Sequence, residues 1–368
     1  MITHQEEIQE KKARVRQLLE KLQLDGILFR KQCNFSWLTG GGLSSVVTAT
    51  EMGMASLLIT LDKDYVVCNA IEAPRIEQEE QLPQQGYEIR SFPWYEDREQ
   101  QLVKELTNHD RVGCDSIFPG TEDISKELNP LRYSLTPWEV ERYTEVGSLT
   151  SKAIEDTVHT VEPGEKECEI VGRLAEHLWA NRLDYVTIFC AADERISNFR
   201  HPVATEKTVK KRAMLCVNAR KWGLIISLTR FVQFGKVPED LKKRYEANVY
   251  IDCVFMANTI PGKPAVEAFK KGIEAYKETG YGEEYHLHHQ GGSIGYVGRD
   301  YKVTFKSTEI IRENQGFAWN PSITGSKSED TMLATSDGPV LLSKPVRFPT
   351  VAMEIGGYRF TRPAILEK

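Results

Sequence analysis

The chain has no CxxC pair, no long Lys/Arg run, no low-complexity linker and no tandem repeat at a short period. Its seven cysteines (Cys33, Cys68, Cys114, Cys168, Cys190, Cys216, Cys253) are scattered and odd in number. That argues against a disulfide frame and against a thiolate zinc site. Net charge is −6, so no basic field exists for nucleic acid. No apolar run reaches the roughly 20 residues that a membrane helix needs. The start, Met1-Ile2-Thr3-His4-Gln5-Glu6-Glu7, is polar and acidic, unlike a secretory signal. These absences predict a cytoplasmic, reduced protein with neither nucleic-acid nor membrane partners.

What is present is an ordinary globular composition, 40% hydrophobic and 27% charged over 368 residues, enough for two or three domains. From Glu6 to Leu24, apolar residues at Ile8, Val15, Leu18, Leu19 and Leu22 have helical spacing. Asp25-Gly26 breaks that helix and Ile27-Leu28-Phe29 begins a strand. Residues 55–60 and 65–68 predict a hairpin around Asp62-Lys63-Asp64, and residues 111–115 another strand. Strands alternating with helices make residues 1 to about 125 an α/β domain. Thr136-Pro137-Trp138-Glu139 reads as a helix start: Thr as N-cap, Pro next, an acid in the first turn. That helix runs to about Thr160, and a second covers Glu167 to Ala180. The remainder is strand-rich α+β, with helices near 236–246 and 263–279.

Four segments carry candidate chemistry. Asn198-Phe199-Arg200-His201-Pro202 is turn-like, and loops present catalytic groups; a structural or surface His is equally ordinary there. Residues 216–230 read as two strands joined at Lys221-Trp222-Gly223, a buried hairpin without a good ligand for a hard metal. His286-Leu287-His288-His289-Gln290-Gly291-Gly292 holds three of the eight histidines. As a strand it would put His286 and His288 on one face and His289 on the other. Metal binding is one reading of it; close backbone approach at the glycines, with one packed His, is the other. Glu329-Asp330 opens an apolar strand and reads either as a ligand or base, or as a solvated pair.

In order and spacing these segments resemble the pita-bread family of methionine aminopeptidase, aminopeptidase P, prolidase and creatinase. Asp25-Gly26-Ile27-Leu28 with Asn34-Phe35-Ser36-Trp37-Leu38-Thr39-Gly40 is similar to the opening of that family's N-terminal domain. Thr136-Pro137-Trp138-Glu139 and Val161-Glu162-Pro163-Gly164-Glu165 are similar to the start of its catalytic domain. The resemblance implies an α/β creatinase-like N-terminal domain over residues 1–128, an α+β pita-bread domain over 129–368, and a homodimer. It also implies two metal ions held by two Asp, one His and two Glu. Those positions fall on Cys216, Ser227, Gly292, Asn320 and Glu329, so only the last carboxylate is kept. A bridged divalent pair needs several anionic oxygens, so no metal and no other cofactor is expected.

Creatinase, which hydrolyses a C–N bond without metal, is the nearest pattern within the family. The resemblance puts its catalytic His on His201 and a substrate-binding carboxylate on Glu329. The expectation is a metal-independent, creatinase-like hydrolase or lyase acting on a C–N bond of a small polar substrate or short peptide. His201 would move the proton. Glu329 would hold an organic cation or orient His201. Arg299 and Arg200 would bind a carboxylate. Ser227, His288, His289 and Asn320 would line the pocket. Two alternatives stand beside it: an Xaa-Pro peptidase with a rearranged metal site at His286, His288, His289 and Glu329, and a non-catalytic binding module.

Overall fold

A computed structural model describes residues 5–107 and 111–368; the first four residues of the polar start lie outside it. The chain divides into two compact units, Met1–Glu139 and Val140–Lys368. The sequence reading puts the division at 128/129. The intervening segment belongs with the first unit because Asn129–Arg132 forms a 3-10 turn whose Arg132 guanidinium is bonded to buried Asn34.

In the first unit the opening helix is Gln5–Leu22, which buries Ile8, Val15, Leu18 and Leu19 as their spacing requires. The predicted hairpin is Met52–Ile59 with Asp64–Asn69, antiparallel and in register from Ile59↔Asp64 to Ala55↔Cys68. These strands, with Gly26–Lys31, Val112–Cys114 and two others, form a six-stranded sheet.

The second unit begins within helix Pro137–Thr160, whose start has the expected chemistry. The Thr136 hydroxyl accepts from the Glu139 amide at 3.3 Å, and the Glu139 carboxylate accepts from the Thr136 amide at 2.8 Å. Asp184–Ala192, Arg212–Lys221, Leu224–Gln233 and Leu366–Glu367 make a four-stranded sheet. Trp222 (φ 54°) and Gly223 (φ 79°) close the tight central hairpin, both in the left-handed region that primed turns demand. A five-stranded sheet contains Gly291–Ser293, Gln315–Trp319 and Asp330–Thr335. The two sheets meet edgewise. The Thr229 amide donates to the Glu329 carbonyl at 3.0 Å, and the Thr331 hydroxyl both accepts from the Ser227 amide (2.8 Å) and donates to its carbonyl (2.9 Å).

Two local expectations are corrected. The helix placed near 236–246 is Glu239–Ala257, because Pro238 sets its start and its second half is buried on nearly all sides, which erases the amphipathic period. Residues around His286 are not a strand. Glu284–Leu287 is a 3-10 turn, with His286 exposed and beside Glu283. The chain then becomes extended at His288, so His288 and His289 leave the turn together.

Candidate functional site

A cavity of about 410 Å³ opens in the second unit. Its polar lining is Thr187, His201, Cys216, Asn218, His289, Arg299, Asn320, Lys327 and Glu329; Val186, Phe189, Val203 and Val217 form apolar wall.

Glu329 sits at its base, 4% exposed. Its carboxylate accepts from the Ser227 hydroxyl at 2.9 Å and the Thr229 hydroxyl at 2.8 Å, and pairs with the Lys327 ammonium at 2.7 Å. Arg299 is farther, at 3.4 Å. Burial alone would raise the Glu329 pKa, but Lys327 and Arg299 reverse that and hold it down to about 2. Burial likewise opposes the Lys327 charge, yet Cys216, at the high pH where its thiol ionises, and the Glu329 carboxylate outweigh it and raise the lysine. Burial pushes the Cys216 thiol up, so it is a neutral thiol, its Sγ 3.1 Å from the Thr229 hydroxyl whose proton goes to Glu329. The Glu329 carboxylate is therefore ionised and already satisfied. Its partner is a lysine of the same chain, not an organic cation and not His201, which corrects the sequence reading.

Lys327 is the residue that reading missed. The signal was present: Lys327 and Glu329 are two apart in an extended segment and so share a face.

His201 and His289 form the other wall; His288, expected to line the pocket, is instead buried against His201 and does not line it. His201 stacks on Phe189, ring centroids 5.6 Å apart, and its Nε2 lies 3.1 Å from His288 Nε2. One ring donates and the other accepts, according to tautomer. Burial, then Lys327, lowers the His201 pKa. Burial lowers His288 to about 2 and His289 to about 3, so both rings are neutral at pH 7. His289 lies 6.0 Å from His201 by ring centroids.

The remaining predicted residues divide. Asn320 and Arg299 line the cavity, and Asn320 Oδ1 and Arg299 Nε are buried without partners. Ser227 sits behind Glu329, and its hydroxyl oxygen also lies 2.5 Å from the Asn218 side-chain amide. Arg200 does not line the cavity, which corrects its assignment as a substrate ligand. Its guanidinium is bound to Glu284 (2.5 Å) and to the Thr324 hydroxyl (2.9 Å). A guanidinium one residue from a candidate His is drawn away by the nearest carboxylate.

Gly292 has φ +156°, and a Cβ there would meet the Tyr301 carbonyl oxygen at 2.1 Å. The backbone of the neighbouring strand fills the place where a side chain would project.

Residues 11–123 match the Creatinase/Prolidase N-terminal domain, and residues 141–349 match Metallopeptidase family M24. An Xaa-Pro dipeptidase of Pyrococcus horikoshii is 21% identical over 364 residues, covering 92% of this chain and 98% of that one. The solved Xaa-Pro dipeptidase of Bacillus anthracis superposes with a TM-score of 0.76 at 18% identity, over 98% of this chain and 100% of that one. The N-terminal domain of a FACT complex subunit from Cicer arietinum superposes with 0.70 at 12% identity, over 94% and 97%. At such identities the superpositions show the fold: a creatinase-type N-terminal domain followed by a pita-bread domain. Among the described residues no helix is long and apolar enough to cross a membrane.

Proposed function

The chain belongs to metallopeptidase family M24, and on that premise we propose that it is a C–N hydrolase that works without the dinuclear metal centre the family implies. Its substrate is a small polar amide or short peptide. The observation that carries this reading is the Lys327 ammonium, 2.7 Å from Glu329 and lining the same cavity as His201.

The residues at the implied ligand positions do not fit two divalent ions. Cys216 is a hydrogen-bonded neutral thiol, Ser227 and Asn320 carry no charge, and no side chain can project from Gly292. Glu329 alone cannot bridge and neutralise two ions, and Lys327 already neutralises it. A lysine held there supplies one fixed positive charge with a strong hydrogen-bond donor.

The reaction follows from what faces the cavity. A substrate carbonyl oxygen placed against Lys327 and the Arg299 guanidinium would have its developing oxyanion stabilised by both. His201, neutral and braced by Phe189 and His288, takes a proton from water as that water attacks the carbonyl carbon. The protonated imidazole returns the proton to the departing nitrogen as the C–N bond breaks. With the three imidazoles neutral, Lys327, Arg299 and Glu329 leave the site at +1, which suits a substrate with an anionic group. A cytoplasmic setting fits the seven free cysteines, and a homodimer fits the family resemblance.

A second reading keeps a metal. It is favoured by the relatives described as Xaa-Pro dipeptidases. One experiment separates the two: hydrolysis of a panel of carboxylate-bearing amides and Xaa-Pro dipeptides, by wild type and His201→Ala, with chelator and with added Mn2+. The proposal expects turnover that survives chelator and falls about 10²–10⁴-fold in His201→Ala. Turnover that appears only with added Mn2+ would replace it with the metal-dependent reading.

A further inference from the structure

We infer that His201, His288 and His289 form a site for a single late transition-metal ion of the Zn2+ or Ni2+ class, distinct from the carboxylate positions of the family's implied centre. One nitrogen from each of the three rings can be chosen so that all lie within 4.8 Å of one another. The tightest pair, His201 Nε2 and His288 Nε2, is 3.1 Å apart. Two nitrogens at that spacing subtend roughly 100° at an ion bound about 2.05 Å from each, close to a tetrahedral angle. The third ring closes the set by moving about 1.5 Å at most, since imidazoles around such an ion stand about 3.3 Å apart.

A second observation points to a ligand. His289 Nδ1 is buried without a hydrogen-bond partner; His288, 91% buried (9% exposed), turns its Nε2 to His201, and its own Nδ1, which points away from that pair, is unpartnered as well. Buried ring nitrogens normally find a partner. Three imidazoles with no free carboxylate select a borderline ion over Mg2+, Ca2+ or Mn2+, which want oxygen. Lys327 and Arg299 line the same cavity and oppose a cation, while Glu329 offsets one of them. That balance favours one ion, not two. His286 is outside the set: it is 3.8 Å from Glu283 on the exposed turn.

An ion held here takes the lone pair that His201 needs as a base, so it would block the proton transfer proposed above. The binding itself requires no substrate and does not depend on that reading. The test is calorimetric titration of the chelator-stripped full chain with Zn2+ and Ni2+, and separately with Mn2+. The expected result is one Zn2+ or Ni2+ per chain, no comparable Mn2+ binding, and affinity at least about tenfold weaker in His288→Ala and in His289→Gln. The exposed control His286→Ala should match wild type. Circular dichroism and the thermal midpoint without metal verify that each variant is folded. Absence of stoichiometric Zn2+ and Ni2+ binding by folded wild type overturns the site, as does equal loss in His286→Ala. Failure to find a hydrolysed substrate would leave these binding results standing and count only against the hydrolase reading.

Discussion

Glu329 and Asp330 are neighbours in the chain and face opposite sides of the same sheet. Glu329 looks into the cavity. Asp330 looks into the core, where it accepts from Arg230 at 2.9 Å, Ser343 at 2.8 Å and Arg362 at 2.8 Å. Arg362 also binds Asp252 at 2.7 Å, and all four charged groups of that cluster, with Arg230, are fully buried. Both sides are networks of buried ions. They differ in what is left over. The core side pairs its ions with one another; the two atoms it leaves over, Arg362 Nε and Asp252 Oδ1, do not line the cavity. The cavity side has its carboxylate saturated while an arginine Nε, an asparagine Oδ1 and two imidazole nitrogens stay unpartnered. Buried charge paired within the core holds a fold; buried polar groups left open around a cavity mark a place for something else.

The largest effect that could break this comparison is on the core side. Arg362→Leu leaves Asp252 and Asp330 facing each other without their shared cation, and should cost about 3–5 kcal/mol of stability. Urea unfolding measures it. A loss under about 1 kcal/mol would mean that the core cluster is not what holds this strand.

A smaller effect separates the two sides by pH. His288, held down to about 2 in the folded chain, would take a proton near 6.5 when unfolded. The unfolded chain thus binds more protons, so this contribution is complete above pH 6.5 and is lost as pH falls below it, by at most about 1.4 kcal/mol per unit. Asp252 acts in the opposite sense: burial raises it to about 6, against Arg362, so its term grows less favourable as pH rises through that value. Comparing wild type with His288→Asn isolates the imidazole. The variant should lose less stability between pH 7 and 5 than wild type. Parallel curves would show that His288 is not held neutral by the fold.

Much of this architecture was legible in the chain. The helix at residues 5–22, the hairpin at 52–69 and the capping box at Thr136 follow from spacing and local chemistry. So did the gathering of His201, His288, Asn320 and Glu329, although only through resemblance to a family, since they lie far apart in sequence. What was not legible depended on long-range partners. Arg200 turns to Glu284, 84 residues away. Glu329 is hydrogen-bonded by Ser227 and Thr229 on another sheet and neutralised by Lys327, so no charge remains for a substrate cation. The two adjacent histidines both come within reach of His201, His289 alone lining the cavity, because the 3-10 turn before them ends in an extended residue, which a period-2 argument misses.

The central claim is that Lys327 stands on the cavity side as the fixed positive charge the reaction uses. The most direct measurement is kcat of folded Lys327→Met in excess chelator, on any substrate that wild type hydrolyses. Glu329 keeps Arg299, Ser227 and Thr229, so the variant should fold while kcat falls about 10²–10³-fold, the loss of one oxyanion donor. A kcat within about twofold of wild type, in a protein whose unfolding midpoint is unchanged, would contradict the account.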